Sequence, residues 1–247
     1  LWQSALDFGE KRATFLLTIH PTLYMYFVSI VIVVKCNYSN IEFWRIMTRL
    51  KQLNFYTEAP DVELRNTLDQ PVKLSSLWAE KTLVLAFTRH FGCTQCKEML
   101  AELVAAQEQI RGNGMEIAVV TQGTPAGTAQ FAATFAPGLD CLSDPERKAY
   151  QAYGLTRGTI WQTFLNRQVW AAIKRATKKG FKVEPPPAGQ DAMQMSGTFI
   201  INRQGRILLP FYYDNIADHP SIDLFLNGVL NTKWDKNFEG PIGPYQK

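Results

Sequence analysis

The chain has 247 residues, 46% of them hydrophobic and 19% charged, with a formal net charge of +4. That length and composition suit one large domain, or one domain with an appendage, around a sizeable buried core. The mild positive balance, with no dense basic stripe interleaved with aromatics, makes no case for nucleic-acid binding. Four cysteines are too few for a disulfide-built scaffold in a chain this long.

The stretch from Phe15 to Val34 is mostly apolar, lies between Lys11-Arg12 and Lys35, and is about as long as the roughly 20 residues a helix needs to cross a bilayer. His20-Pro21 interrupts it, its second half is rich in β-branched residues, and no small-residue cleavage site follows. Met47 opens a polar segment, Met47-Thr48-Arg49-Leu50-Lys51, that would make an ordinary start for a soluble protein. Two readings stand side by side: residues 1–46 are an upstream extension outside the working domain, or residues 15–34 are a membrane anchor. The expected organisation is an extension over 1–46, a working domain over 47–232 and a tail over 233–247. The expected location is cytoplasmic, or membrane-anchored if residues 15–34 are native.

Within the working domain, Lys81 to Thr88 is a short apolar run of the kind that makes a buried strand, and Arg89-His90-Phe91-Gly92 reads as a turn after it. From Cys93 to about Arg111 the apolar residues Met99, Leu100, Leu103, Val104 and Ile110 recur at three and four, predicting a helix that stops at Gly112-Asn113-Gly114. Met115 to Thr121 is a second buried strand, Pro125 to Phe135 a helix, and Cys141-Leu142 a third short strand. Ser143-Asp144-Pro145-Glu146 places a capping residue ahead of proline, predicting a helix to about Tyr153 that ends at Gly154. A helical insertion follows near 159–180, ending in Lys174, Arg175, Lys178 and Lys179, where cations suit the helix dipole. Pro185-Pro186-Pro187-Ala188-Gly189 is a loop. Thr198–Asn202 and Arg206–Tyr213 form a hairpin around Arg203-Gln204-Gly205, and a last helix spans about Ser221 to Leu230. That order fits an α/β fold with a central mixed sheet flanked by helices.

The chemistry concentrates in Phe91-Gly92-Cys93-Thr94-Gln95-Cys96-Lys97. A cysteine at the start of a helix meets unpaired N–H groups and partial positive charge, which favour the nucleophilic thiolate. Cys96, one turn on, lies within reach of disulfide geometry. Cys93 is therefore the expected nucleophile and Cys96, expected to be more buried, the resolving thiol, with Arg89 and His90 as candidate thiolate stabilisers. A chance pair or half of a zinc site is the competing reading, but neither Cys36 nor Cys141 brings a second close pair. Cys141 reads as a core residue. Asp218-His219 has the look of a catalytic dyad, although Asp218, Pro220 and Ser221 more simply begin the last helix. The Trp161/Trp170 helix with its basic end reads as a solvated face, with a membrane or partner contact as the second option.

Arg89-His90-Phe91-Gly92-Cys93-Thr94-Gln95-Cys96-Lys97 resembles the active-site segment of the peroxiredoxin-like family in the alkyl hydroperoxide reductase and thiol-specific antioxidant superfamily. Ser143-Asp144-Pro145-Glu146-Arg147, Gly158-Thr159 with Trp161, Gly197-Thr198-Phe199-Ile200-Ile201 with Gly205-Arg206-Ile207, and Ala217-Asp218-His219-Pro220 extend the likeness over about residues 50 to 230. The resemblance implies a thioredoxin-like fold and a redox-active Cys93 and Cys96. It also implies turnover by reduced thioredoxin, glutathione or a similar dithiol donor, with no metal or bound cofactor. Ala86 and His90 stand seven and three residues before Cys93, where peroxiredoxins carry proline and threonine. Efficient peroxidase activity is thereby questioned, and disulfide or specialised peroxide reduction gains. The expected function is a thiol-disulfide oxidoreductase or peroxiredoxin-like reductase; the alternative is a non-enzymatic redox sensor or partner-binding module.

Overall fold

The computed structural model describes residues 52–229 and 233–234. The expectations for residues 1–46, including the apolar run 15–34 and Cys36, lie outside the described residues, as does most of the 233–247 tail. Among the described residues no helix is long and apolar enough to cross a membrane.

Two strands, β3 (Thr82–Phe87) and β4 (Met115–Thr121), run parallel in the middle of the sheet, paired from Thr82 opposite Met115 to Phe87 opposite Val120. Both are nearly continuous apolar runs because each has a covered layer on either side. Alternate side chains divide between two cores. Leu83, Leu85, Phe87, Ala118 and Val120 pack with Tyr150, Tyr153 and Phe199. Val84, Ala86, Ile117 and Val119 pack with Leu100, Leu103 and Phe131.

Around this pair stand β1 (Glu63–Asn66), β2 (Pro71–Lys73), β5 (Asp140–Ser143), β6 (Gly197–Ile201) and β7 (Ile207–Tyr212), giving one seven-stranded sheet in the order β2-β1-β5-β4-β3-β6-β7. β5 joins β4 in parallel, and β1, β6 and β7 run antiparallel to their neighbours, so the sheet is mixed, as expected. The helices are α1 (Leu74–Trp78), α2 (Thr94–Gly112), α3 (Pro125–Phe135), α4 (Lys148–Ala152), α5 (Arg167–Lys178) and α6 (Ile222–Asn227). At the start of α3, Thr124 accepts a hydrogen bond from the Gly127 N–H while Pro125 occupies the first turn, where its missing N–H costs nothing.

Three expected helices are shorter or broken. The one expected from Ser143 begins only at Lys148, because Arg147 is held at φ 58°, outside the helical region. Asp144 still caps it, accepting from the N–H groups of Lys148 (2.9 Å) and Ala149 (2.8 Å) across the intervening turn. The inserted segment divides into a single π-helical turn (Trp161–Leu165) and α5. Asn166 between them is extended, and its side chain caps α5 by accepting from Gln168 N–H at 2.9 Å. The last helix starts after Ser221, whose hydroxyl accepts from Leu224 N–H, and stops at Gly228, whose φ of 73° ends the helical path. The β1–β2 hairpin and α1 were not anticipated.

Candidate active site

The first cysteine stands where a strand gives way to a helix. After β3 the chain turns through Arg89–Gly92, closed by the Cys93 N–H donating to the His90 carbonyl (2.9 Å), and Cys93 is the residue immediately before α2. Its backbone is extended and its carbonyl accepts the Lys97 N–H at 3.1 Å, so the thiol sits beside the free N–H groups of the first helical turn. Cys96 lies one turn along and accepts the Arg89 N–H at 3.3 Å.

The two sulfurs are pushed in opposite directions. Cys93 is lowered from 9.0 to about 6: the Cys96 thiol hydrogen-bonds to it, burial opposes, and the Arg89 guanidinium, 3.6 Å from its Sγ, adds attraction for the anion. Cys96 is held well above its ordinary value by burial and by its neighbour's negative charge. The arrangement favours a thiolate at Cys93 and a thiol at Cys96, each stabilising the other's state.

Exposure does not separate them. Cys93 is 3% exposed and Cys96 4%, so the expectation that Cys96 is the more buried is corrected: both thiols lie under cover. The loop after α5 packs against the turn that carries them. Glu184 N–H donates to the Gly92 carbonyl, and a β-carbon on Gly92 would collide with the carbonyl oxygens of Glu184 and Pro185. Gln190 accepts the Phe91 N–H at 2.8 Å. Gln122, at the end of β4, donates to the Arg89 carbonyl (2.8 Å) and accepts the Asp191 N–H (2.9 Å), tying turn and loop together. Arg89 itself donates to the carbonyls of Gln194 (3.1 Å) and Ala192. Sequence reasoning found Arg89 but missed Gln122, Glu184 and the packing of this loop, because contacts between distant segments leave no periodic trace.

His90 is buried and lowered to about 4, by desolvation first and then by Arg89 and Lys97. It is neutral at pH 7 and brings no cationic charge to Cys93, which leaves that part to Arg89. Two buried polar atoms in this region lack partners, His90 Nδ1 and Gln95 Nε2. Gln95 lies against the first thiol, its Oε1 3.8 Å from Cys93 Sγ.

Next to the turn opens a cleft of about 710 Å³, whose lining includes Phe91, Phe131, Phe135, Lys97, Glu184 and Gln190. Phe91 and Phe131 stack at 4.4 Å, and the Lys97 ammonium lies 4.8 Å over the Phe135 ring and pairs with Glu184. Elsewhere, Cys141 is a buried thiol in β5, raised to about 12 by burial and then by Asp140. Asp218 and His219 form no dyad: Asp218 accepts the Asp214 N–H at 3.0 Å, His219 meets Glu102 at 3.3 Å, and Ser221 caps α6. No group of three or more His, Cys, Asp or Glu side chains converges among the described residues in a way that could hold a metal ion.

Comparison with known proteins agrees with this frame. The family model described as AhpC/TSA antioxidant enzyme matches residues 102–215, a stretch beginning after both Cys93 and Cys96. The chain is 28% identical to a prostamide/prostaglandin F synthase from Danio rerio over 168 residues, covering 65% of the chain and 81% of that relative. It is 23% identical to peroxiredoxin-like 2C from Bos taurus over 171 residues, covering 65% of the chain and 73% of that relative. Among solved structures, a peroxiredoxin 6 from Arenicola marina superposes with a TM-score of 0.53 at 11% identity, over 71% of each chain. A yeast mitochondrial 1-Cys peroxiredoxin gives 0.52 at 10% identity, over 71% of the chain and 74% of that structure.

Proposed function

Starting from a chain that is peroxiredoxin-like and of the thioredoxin fold, we propose that it is a thiol-dependent reductase of peroxide or disulfide substrates, with Cys93 as nucleophile and Cys96 as resolving thiol. The observation that carries this reading is geometric: Cys93 stands immediately before α2 with the Arg89 guanidinium 3.6 Å from its Sγ and Cys96 one turn along, an arrangement that pushes the Cys93 thiol down and the Cys96 thiol up.

For a disulfide, the Cys93 thiolate attacks one sulfur, forms a mixed disulfide and expels the other sulfur as thiolate. Cys96 then gives up its proton, attacks Cys93 Sγ, closes the intramolecular disulfide and releases the second thiolate. For a hydroperoxide, the thiolate takes the terminal oxygen, the O–O bond breaks, and the leaving oxygen picks up a proton as the alcohol. Cys96 condenses with the resulting sulfenic acid and water departs. Either way two electrons leave the cysteine pair, and an external dithiol such as reduced thioredoxin, or two glutathiones, restores them. Arg89 holds the thiolate and later the departing anion. Gln95 stands close enough to hydrogen-bond an oxygen carried by Cys93.

The departures at Ala86 and His90 remove the usual peroxide-orienting pair, which favours disulfide or bulkier peroxide substrates over hydrogen peroxide. A second reading, a redox sensor without turnover, draws on the near-complete burial of both thiols. Steady-state assay separates the two: thioredoxin, its reductase and NADPH are supplied with hydrogen peroxide, an organic hydroperoxide or insulin. The enzyme reading requires NADPH oxidation above a Cys93→Ser control with at least one of them; its absence with all three leaves the sensor.

A further inference from the structure

The segment from Arg157 to Val183 contains seven lysines and arginines and no aspartate or glutamate, in a chain whose total charge is only +4. The rest of the chain is therefore net acidic, and the positive charge is local. Part of it is neutralised from within: Arg157 pairs with Asp191, and Arg175 and Lys179 pair with the buried Glu98 of α2, which anchors α5 to the body. Arg167, Lys174, Lys178 and Lys182 are exposed and form no ion pair among the described residues.

The same segment carries most of the large apolar side chains that the described surface leaves in water. Ile160, Trp161, Leu165, Trp170 and Val183 are each between 55% and 64% exposed. Trp170 stands three residues after Arg167 and four before Lys174, so its ring shares a face with two free cations. Helix α5 buries Val169, Ala172 and Ala176 and leaves the opposite side to these groups. Isolated surface leucines need no account, but two tryptophans, an isoleucine and a leucine left exposed between residues 160 and 170, on a segment that also carries unpaired cations, do.

We propose that this segment is a docking surface for a bilayer bearing anionic lipid headgroups. Indole rings settle at the boundary between headgroup and acyl chain, aliphatic side chains insert beside them, and lysines and arginines on long stems reach the phosphates. A polyanion such as nucleic acid would use the cations but leave Ile160 and Leu165 in water, so the combination favours a lipid surface. This inference does not depend on turnover by Cys93.

The test is co-sedimentation of the full chain with vesicles of phosphatidylcholine alone and of phosphatidylcholine containing phosphatidylserine, at about 0.15 M salt. The expected result is binding to the anionic vesicles that weakens as salt rises. Lys174→Glu with Lys178→Glu should lower the partition coefficient at least about tenfold. Trp161→Ser with Trp170→Ser should lower it as well and abolish the vesicle-induced blue shift of tryptophan emission. Both double variants lie on the exposed face and should retain the wild-type melting transition. Binding that is unchanged in both variants would place membrane attachment elsewhere in the chain and overturn the proposal. So would a chain that ignores vesicles of both compositions, even if it is cross-linked to another protein through Trp161 or Trp170.

Discussion

Two buried thiols in the same fold behave as opposites. Cys93 precedes α2 and is lowered to about 6; Cys141 lies within β5, about as deeply buried, and is raised to about 12. Burial pushes both upward, because a low-polarity surrounding penalises the charged form. At Cys93 that penalty is exceeded by the hydrogen bond from Cys96 and the guanidinium of Arg89; at Cys141 the nearby charge is Asp140, which adds to it. The direction in which each thiol is pushed follows from where the chain leaves the sheet, not from exposure. In β5 the thiol meets apolar neighbours and one carboxylate, while the strand-to-helix turn offers free N–H groups, a cation and a second sulfur.

The largest effect should come from removing the sulfur itself: Cys93→Ser should abolish turnover in the thioredoxin-coupled assay, whereas Cys141→Ala should leave it intact. Next, Cys96→Ser should stop multiple turnover and trap a mixed disulfide on Cys93, visible by mass spectrometry. Because the hydrogen bond from the Cys96 thiol is the main cause that lowers Cys93, Cys96→Ala, which removes the donor, should move the alkylation midpoint of Cys93 upward. Arg89→Leu should move it in the same direction. That variant should also cost about 2–3 kcal/mol in urea unfolding, since the buried carbonyls of Gln194 and Ala192 lose a charged donor. Cleanest as a purely structural control, Asp144→Ala should cost about 1–2 kcal/mol through lost capping of α4 and leave the Cys93 midpoint where it is. The smallest change, about 1 kcal/mol of stability, is expected from Cys141→Ala.

The frame of the candidate site was legible in the sequence because it is local. β3, α2, β4 and α3 each carry a clear apolar period or run, and their ends fall within a residue or so of the expected ones. The β1–β2 hairpin was not legible: β1 has four residues and buries only Leu64 deeply, and β2 has three. Runs that short, with one buried side chain, look the same as loop. The break at Asn166 was also hidden, since Trp161 through Ile173 keep a roughly helical spacing across it; only the capping side chain of Asn166 marks the join. The packing of Glu184–Gln194 against the turn before Cys93 runs through pairs such as Gln122 with Asp191 that lie 69 residues apart. No window along the chain contains both partners.

The most direct test is the pH titration of thiolate absorbance in the ultraviolet, taken as the difference between the reduced wild-type protein and Cys93→Ser. A group lowered in the folded protein is ionised above its midpoint and protonated below it, so absorbance and alkylation rate should both fall as pH drops through about 6. A Cys93 midpoint near 9.0, the value of an unperturbed thiol, would contradict the assignment of Cys93 as an activated nucleophile.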